Sequence, residues 1–103
     1  MPSLVVLFNL KDKESKEAYE NWAKTTDVPT VKGLVSINDF RVYRLQEMMG
    51  SGGTPPYHYC EVIDINDMTK LGEELSTETM QRVAAEFQEF ADSPMFIVSE
   101  QFA

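Results

Sequence analysis

The only histidine, His58, is the first candidate for acid–base chemistry because the ordinary pKa of histidine lies near neutrality. It follows a Gly- and Pro-rich stretch at residues 46–56 and begins a segment rich in aromatic and branched residues. Functional groups often gather where such loops meet strands. We therefore predict that His58 is catalytic. The alternative is a partly exposed structural histidine at a strand end.

A carboxylate, Asp27, stands two residues before Pro29, where an amphipathic helical pattern breaks. In such a corner a carboxylate commonly accepts N–H bonds from the next turn and acts as a cap. If it is buried, desolvation raises its pKa and equips it to hold or remove the proton of an N–H donor. We count Asp27 among the catalytic candidates and keep the cap as the alternative.

Arg41 and Tyr43 alternate along a predicted strand and therefore share one of its faces. An arginine there can polarise a carbonyl or steady an enolate-like charge, with the tyrosine hydroxyl beside it. The plainer interpretation pairs Arg41 with a carboxylate such as Glu61 on the neighbouring strand. We predict Arg41 as a catalytic residue, and Tyr43 and Glu61 as substrate-binding residues.

Trp22 is the only tryptophan, and it lies on a helix that would line a cleft against the sheet. Its flat indole ring suits stacking against a flat heteroaromatic molecule. Aromatic side chains of a small domain normally pack in the core, and that is the alternative here. We predict Trp22 as a substrate-binding residue.

Metal and nucleotide sites are not expected. One His and one Cys cannot supply the usual nitrogen and sulfur ligands of a metal, which leaves only a carboxylate-rich or dimer-shared site as an alternative. The glycines at 50, 52 and 53 join two strands, whereas a phosphate-binding loop joins a strand to a helix. We therefore expect no cofactor. Cys60 alone cannot form an internal disulfide, which excludes a small secreted disulfide scaffold.

The hydropathy pattern predicts six elements in the order βαββαβ. A bulge near Asn38–Asp39 is needed to keep the second strand in phase, and Ser76–Thr77 interrupts the second helix. Pro29 is expected to open a short helical turn that Gly33 closes with a positive φ. Residues 46–56 are predicted to be a mobile loop. The predicted strands span residues 4–10, 34–45, 57–65 and 95–102, and the helices 12–24 and 68–91.

This order predicts an α+β protein with the ferredoxin-like split arrangement, an antiparallel sheet in the spatial order 4-1-3-2 and both helices on one face. The unbroken apolar run at residues 4–10 suits a central strand. The other sheet face is also apolar but has no helices to cover it. A second copy of the chain would bury that face, so a homodimer is expected.

The chain has 103 residues, with 17 acidic and 9 basic side chains and a net charge of -8. This length predicts a single domain over residues 1–103. The negative charge disfavours nucleic acid and anionic membrane surfaces as partners. The N-terminal residues lack the features of a signal peptide, and no apolar run is long enough for a membrane span, so a cytoplasmic protein is expected.

Four stretches carry a resemblance that covers essentially the whole chain: residues 4–10, 19–23, 26–32 and 59–62, which read LVVLFNL, YENWA, TDVPTVK and YCEV. In these the chain resembles the RedY-like, HapK-type family of the dimeric α+β barrel superfamily. The resemblance implies a homodimer that joins two sheets face to face. It also implies a role in making prodiginine-type tripyrrole pigments.

Together these points predict a cofactor-free acid–base enzyme that acts on a pyrrole-containing intermediate by condensation, cyclisation or hydrolysis. The alternatives are a non-catalytic binding protein for a pathway intermediate, a cofactor-independent monooxygenase, and a purely structural dimeric subunit. The small aromatic heterocycle is expected in a cleft between helices and sheet, close to the loop at residues 46–56. The side chains expected to converge there are Trp22, Asp27, Arg41, Tyr43 and His58.

Overall fold

A four-stranded antiparallel sheet, covered on one face by helices, organises the computed structural model, which describes residues 2–103. Four α-helices and one π-helical turn lie on the covered face. The elements are β1 (Pro2–Leu10), α1 (Lys16–Trp22), the π-turn (Ala23–Asp27), α2 (Val28–Lys32), β2 (Ile37–Arg44), β3 (Tyr59–Ile65), α3 (Met68–Leu75), α4 (Glu78–Phe90) and β4 (Ala91–Glu100).

The strand order across the sheet is β2-β3-β1-β4. Read from the other edge this is 4-1-3-2, so the predicted ferredoxin-like α+β topology is confirmed. The apolar β1 lies between β3 and β4, and Val6 pairs with Glu61 on one side and with Phe96 on the other. A strand in this position is shielded at both edges, in agreement with its continuous apolar sequence.

Two bulges adjust the sheet. The predicted bulge in β2 is confirmed. Ile37 pairs with Ile65 and Asp39 pairs with the adjacent Asp64, so Asn38 is the additional residue of the bulge. A second bulge in β4 was not predicted, and there Ser93 has a left-handed backbone with a φ of 48°. The sequence-based start of β4 at residue 95 was therefore too late. A proline is tolerated at position 94 because β4 is an edge strand.

The first helix begins later than residue 12 because Ser15 is its N-cap, with its hydroxyl accepting from the Ala18 N–H at 3.1 Å. It runs through the π-turn directly into α2. The predicted positive φ at Gly33 is wrong, since its φ is -76°. A right-handed turn ends α2 instead, and the Gly33 N–H donates to the carbonyls of Pro29 and Thr30.

The second helical segment is interrupted where the sequence predicted it. Asp67 caps α3 by accepting from the Lys70 N–H at 3.0 Å, and Thr77 caps α4 by accepting from the Met80 N–H at 3.3 Å. Because each cap satisfies backbone donors at a helix start, two short helices form in place of one long one.

The core lies between the covered face and the helices, and it is built around Phe8, Tyr19, Tyr59 and Phe87 at one end. The Phe8 ring meets Tyr19 and Phe87 edge-on and stacks on Tyr59. We call the other side of the sheet the open face. The strand register assigns to it the side chains of Val5, Leu7, Arg41, Tyr43, Cys60, Val62, Asp64, Met95 and Ile97.

The segment between β2 and β3 contains a closed turn. The Met48 N–H donates to the Gly53 carbonyl at 2.7 Å, and the Gly52 N–H donates to the Met48 carbonyl at 2.8 Å. The expected mobility of this loop stays a prediction. In residues 2–103, no helix has the length and apolar character needed to cross a membrane.

Candidate functional site

A cavity of about 260 Å³ separates α2, α3 and α4 from the covered face of the sheet. Its volume corresponds to roughly nine water molecules at about 30 Å³ each. The walls are almost entirely apolar and include the rings of Phe40, Phe87 and Phe96. The polar residues among the described lining are Asp27, Glu61 and Gln88. A small apolar molecule with few polar groups suits such a space.

Asp27 reaches this cavity from the end of the π-turn and is only 5% exposed. Its backbone remains helical, and its side chain makes no capping hydrogen bond to α2. The cap alternative is therefore wrong. Burial raises the pKa of Asp27 to about 7 because the ionised carboxylate loses its hydration. A π-turn inside a helix frequently marks a functional position.

Glu61 enters the cavity from the middle of β3 and is 4% exposed. The Tyr19 hydroxyl donates to its Oε2 at 3.3 Å. Burial, and next the charge of Asp27, raise the pKa of Glu61 to about 8, while the tyrosine hydrogen bond acts in the opposite direction. Burial also raises the pKa of Tyr19, so this phenol keeps its proton and serves as a donor.

The two carboxyl groups therefore share one nearly dry environment in which the full ionisation of both is unfavourable. A pair of this kind titrates as a unit near neutral pH, with at least one proton held at pH 7. Such an arrangement can protonate one atom of a ligand and deprotonate another. Tyr19 was not among the predicted site residues, although its place on the apolar stripe of α1 was the available signal.

Arg41 and Tyr43 do not join this site, which corrects the expected convergence. Both project from the open face, on the opposite side of the sheet from the cavity. The guanidinium of Arg41 pairs with Asp39 and, at 3.1 Å, with Asp64. It does not pair with Glu61, because the register sets Arg41 opposite Val62 and turns Glu61 to the helices.

His58 also lies outside the cavity lining. Its Nδ1 accepts from the Leu10 N–H at 2.9 Å, and its backbone N–H donates to the Phe8 carbonyl at 3.1 Å. The ring thus satisfies a backbone donor at the end of β1, in agreement with the structural alternative. The loop at residues 46–56 is likewise absent from the lining, so the expected site near that loop is corrected.

Trp22 stands one layer behind the cavity wall. Its ring packs against Phe87 at 6.5 Å and Phe90 at 5.4 Å between centroids, and its Nε1–H donates to Glu86 at 2.9 Å. Of these residues, Phe87 lines the cavity and Trp22 does not. The indole therefore supports the wall, and the expected direct stacking on a ligand is not what the structure shows.

A smaller pocket of about 160 Å³ lies on the far side of Tyr19. Its polar wall is a cluster in which Glu20 accepts from the Arg44 guanidinium and, at 2.6 Å, from the Tyr59 hydroxyl. These hydrogen bonds hold the pKa of Glu20 well below its usual range. In residues 2–103, no group of three or more His, Cys, Asp or Glu side chains is arranged to hold a metal ion.

The model of one protein family, described as the REDY-like protein HapK, matches residues 2–102. The chain belongs to the RedY-like HapK family. The crystal structure of HapK from Hahella chejuensis superposes with a TM-score of 0.79 at 27% identity, covering 99% of this chain and 93% of HapK. Membership in the RedY-like family thus rests on nearly the whole sequence. The family resemblance found in the sequence is therefore confirmed.

Two other solved structures share the fold of this RedY-like chain. SnoaB from Streptomyces nogalater, described as a cofactor-independent oxygenase, gives a TM-score of 0.77 at 10% identity, covering 99% of this chain and 93% of SnoaB. A dimeric ferredoxin-like protein from Thermobifida fusca gives 0.72 at 9% identity, covering 97% and 90%. At these identities the likeness concerns the fold alone. No curated protein matches the chain.

Proposed function

We propose that this chain is a cofactor-free acid–base enzyme that acts on a pyrrole-containing intermediate of prodiginine-type pigment biosynthesis. The observation that carries the proposal is the pair Asp27 and Glu61, both buried in one apolar cavity. Ionisable groups in a dry cleft with strongly shifted pKa values are typical of catalytic sites. Membership in the RedY-like HapK family supports the pigment pathway.

Burial raises the pKa of Asp27 to about 7 and that of Glu61 to about 8, so the pair holds at least one proton at neutral pH. The protonated member of the pair acts as the general acid, and the ionised member acts as the general base. The Tyr19 hydroxyl orients Glu61 through its hydrogen bond. Condensation, cyclisation and hydrolysis each require one proton to be given and another to be taken.

The cavity suits a flat heteroaromatic ring. Its volume of about 260 Å³ lies just below the usual range of ligand pockets, roughly 300–1,000 Å³, and therefore suits a small ligand. Phe40 and Phe87 offer ring surfaces to a flat ligand. A pyrrole N–H can donate to the Asp27 carboxylate, so this group can orient the ring.

The test is turnover of a pyrrole aldehyde with a second pyrrole, followed by visible absorbance of the conjugated product. Asp27→Asn and Glu61→Gln keep the shape of each side chain and remove its acid–base function. We expect each to lower kcat/KM by about 100-fold or more, the usual contribution of a general acid or base. Glu89→Gln removes an exposed carboxylate of α4 and should leave the rate unchanged.

The rival functions give different results in the same assay. A non-catalytic binding protein would bind the aldehyde without changing its conversion rate. An oxygenase would consume oxygen and stop under strict anaerobiosis, whereas acid–base catalysis continues. If both Asp27→Asn and Glu61→Gln retain the rate of the unmodified protein, the proposed site is wrong.

A further inference from the structure

The cavity has an imbalance of charge. Asp27 and Glu61 both line it, and none of its described lining residues is a lysine, arginine or histidine. The two arginines of the adjoining strand are engaged elsewhere. Arg41 pairs with acidic residues on the open face, and Arg44 is held by Glu20. Any negative charge on the buried pair therefore has no protein counterion beside it.

The Asp27 carboxyl group accepts no capping hydrogen bond from α2, although its residue is 95% buried, and burial accounts for the rise of its pKa. A ligand that brings an N–H donor into the cavity would offer this carboxyl group a charge-assisted hydrogen bond.

We propose that the cavity selects flat nitrogen-containing molecules that carry a positive charge, and that it stabilises positive charge developing on the substrate. The inference rests on the proposed function and specifies its substrate class. Two carboxyl groups attract such a cation, and the rings of Phe40 and Phe87 line the same cavity, where they are available for a cation–π contact. A carboxylated or phosphorylated molecule of the same shape would meet like charge in a dry space and be excluded.

The chemistry of the proposed substrate agrees with this preference. When a pyrrole aldehyde condenses with a second pyrrole under acid catalysis, a new C–C bond forms and the aldehyde oxygen leaves as water. That water carries away the ring hydrogen and one added proton, and a conjugated monocation remains. A site that favours cations is complementary to the charge that develops along this path. It would oppose a path through an enolate.

Binding of a cation should also release protons, because it favours the ionised form of both carboxyl groups. The titratable groups that face the pair are Tyr19 from α1 and Tyr59, one row along β3, and both phenols stay protonated near neutrality because their pKa values are raised. Glu61 pairs with Val6 of β1 and Val42 of β2, and the described lining residues that α2, α3 and α4 contribute to the cavity have no titratable side chain. Released protons would therefore come from Asp27 and Glu61.

Three probes of nearly identical shape test the inference: benzamidinium, benzamide and benzoate, which carry charges of +1, 0 and -1. Calorimetric titration of the purified protein at pH 7 should show benzamidinium binding at least tenfold more tightly than benzamide, with no benzoate binding. In two buffers of different ionisation enthalpy, the benzamidinium titration should report proton release. Asp27→Asn and Glu61→Gln should reduce its affinity to that of benzamide, whereas Glu89→Gln should not.

Several outcomes would overturn the inference. Equal binding of benzamidinium and benzamide would show that the cavity does not select charge. Benzamidinium binding that survives in both cavity variants would place the cation on the acidic exterior. Because the titration needs no turnover, it separates the two proposals. Charge-selective binding together with full activity of Asp27→Asn and Glu61→Gln would defeat the proposed function and leave this inference standing.

Discussion

A carboxylic acid that is buried without a cation keeps its proton to a higher pH, and Asp27 and Glu61 both meet that condition. Their placement costs folding free energy whenever they are ionised. Natural proteins tolerate such costs mainly where a site needs them. Paired acids elsewhere in the chain behave in the opposite way. Hydrogen bonds from Ser3 and Arg41 lower the pKa of Asp64, for example.

The stability of the folded chain should depend on pH. Because the pKa of Asp27 is higher in the folded chain than in the unfolded chain, the folded chain binds more protons between about pH 4 and pH 7. The free energy of unfolding should therefore fall as the pH rises through this window, and Glu61 extends the fall to about pH 8. Urea unfolding at several pH values measures it.

The variant Asp27→Asn tests the same pH dependence of stability. Asp27→Asn cannot ionise, so above pH 8 it should be more stable than the unmodified protein, by at most about 4 kcal/mol for the difference between pKa values of about 7 and 3.8. The same variant should have lost activity. A variant that is less stable than the unmodified protein at every pH would contradict the assigned burial of charge.

Tyr19→Phe tests the hydrogen bond to Glu61 at 3.3 Å. That bond lowers the pKa of Glu61, so its removal should raise this pKa and shift the corresponding limb of the kcat/KM profile to higher pH. The phenyl ring keeps the packing against Phe8 and Tyr59. An unchanged pH profile would mean that Tyr19 only fills space.

At the level of elements, two irregular segments position the residues around them: the π-turn and the bulge in β4. The π-turn joins α1 to α2 without a break and ends at Asp27, so the carboxyl group projects from a rigid helical segment. The bulge in β4 lets the edge strand follow β1 from Leu10 to Pro2 despite one additional residue. The π-turn lies between two helices, and the bulge lies inside β4, between Asp92 and Met95.

The bulge yields a prediction about Ser93. Its φ of 48° is a left-handed conformation that glycine adopts with little strain and β-branched residues adopt poorly. Ser93→Gly should therefore raise the free energy of unfolding by up to about 1 kcal/mol, and Ser93→Val should lower it by about 1–2 kcal/mol. Denaturant midpoints of the two variants give the comparison. Stabilisation by valine would contradict this backbone geometry.

For the whole molecule, the open face presents apolar side chains that no helix covers. Met95 and Ile97 are about two-fifths exposed there, next to Val5 and Leu7 of β1. The helices cover only the other face, so a second copy of the chain is the natural partner. A homodimer through the open face is therefore a proposal that rests on these uncovered apolar side chains.

Light scattering should therefore report twice the chain mass of 11.7 kDa at micromolar concentration. Ile97→Lys buries a charge in the proposed interface and should give a monomer. Val35→Lys is the matched control, because Val35 is 74% exposed and lies outside the sheet. A monomeric unmodified protein, or equal effects of the two variants, would contradict assembly through the open face.

Local patterns were enough to predict the architecture. Strand and helix periodicities predicted the βαββαβ order, the phase error in β2 revealed its bulge, and Ser76–Thr77 marked the interruption of the second helix. These features depend on neighbours along the chain, or on alternation that every strand obeys. The family resemblance also came from short stretches of sequence.

Which polar side chains meet was decided only by the tertiary structure. Side-chain parity in β2 and β3 sends Arg41 and Glu61 to opposite faces of the sheet, and parity depends on the register between strands. His58 became bound to the end of β1, while the π-turn brought Asp27 to Glu61 from 34 positions away. Burial in an apolar cavity then changed ordinary carboxylates into groups that titrate near neutrality. That change depends on the residues packed around them, which sequence spacing does not encode.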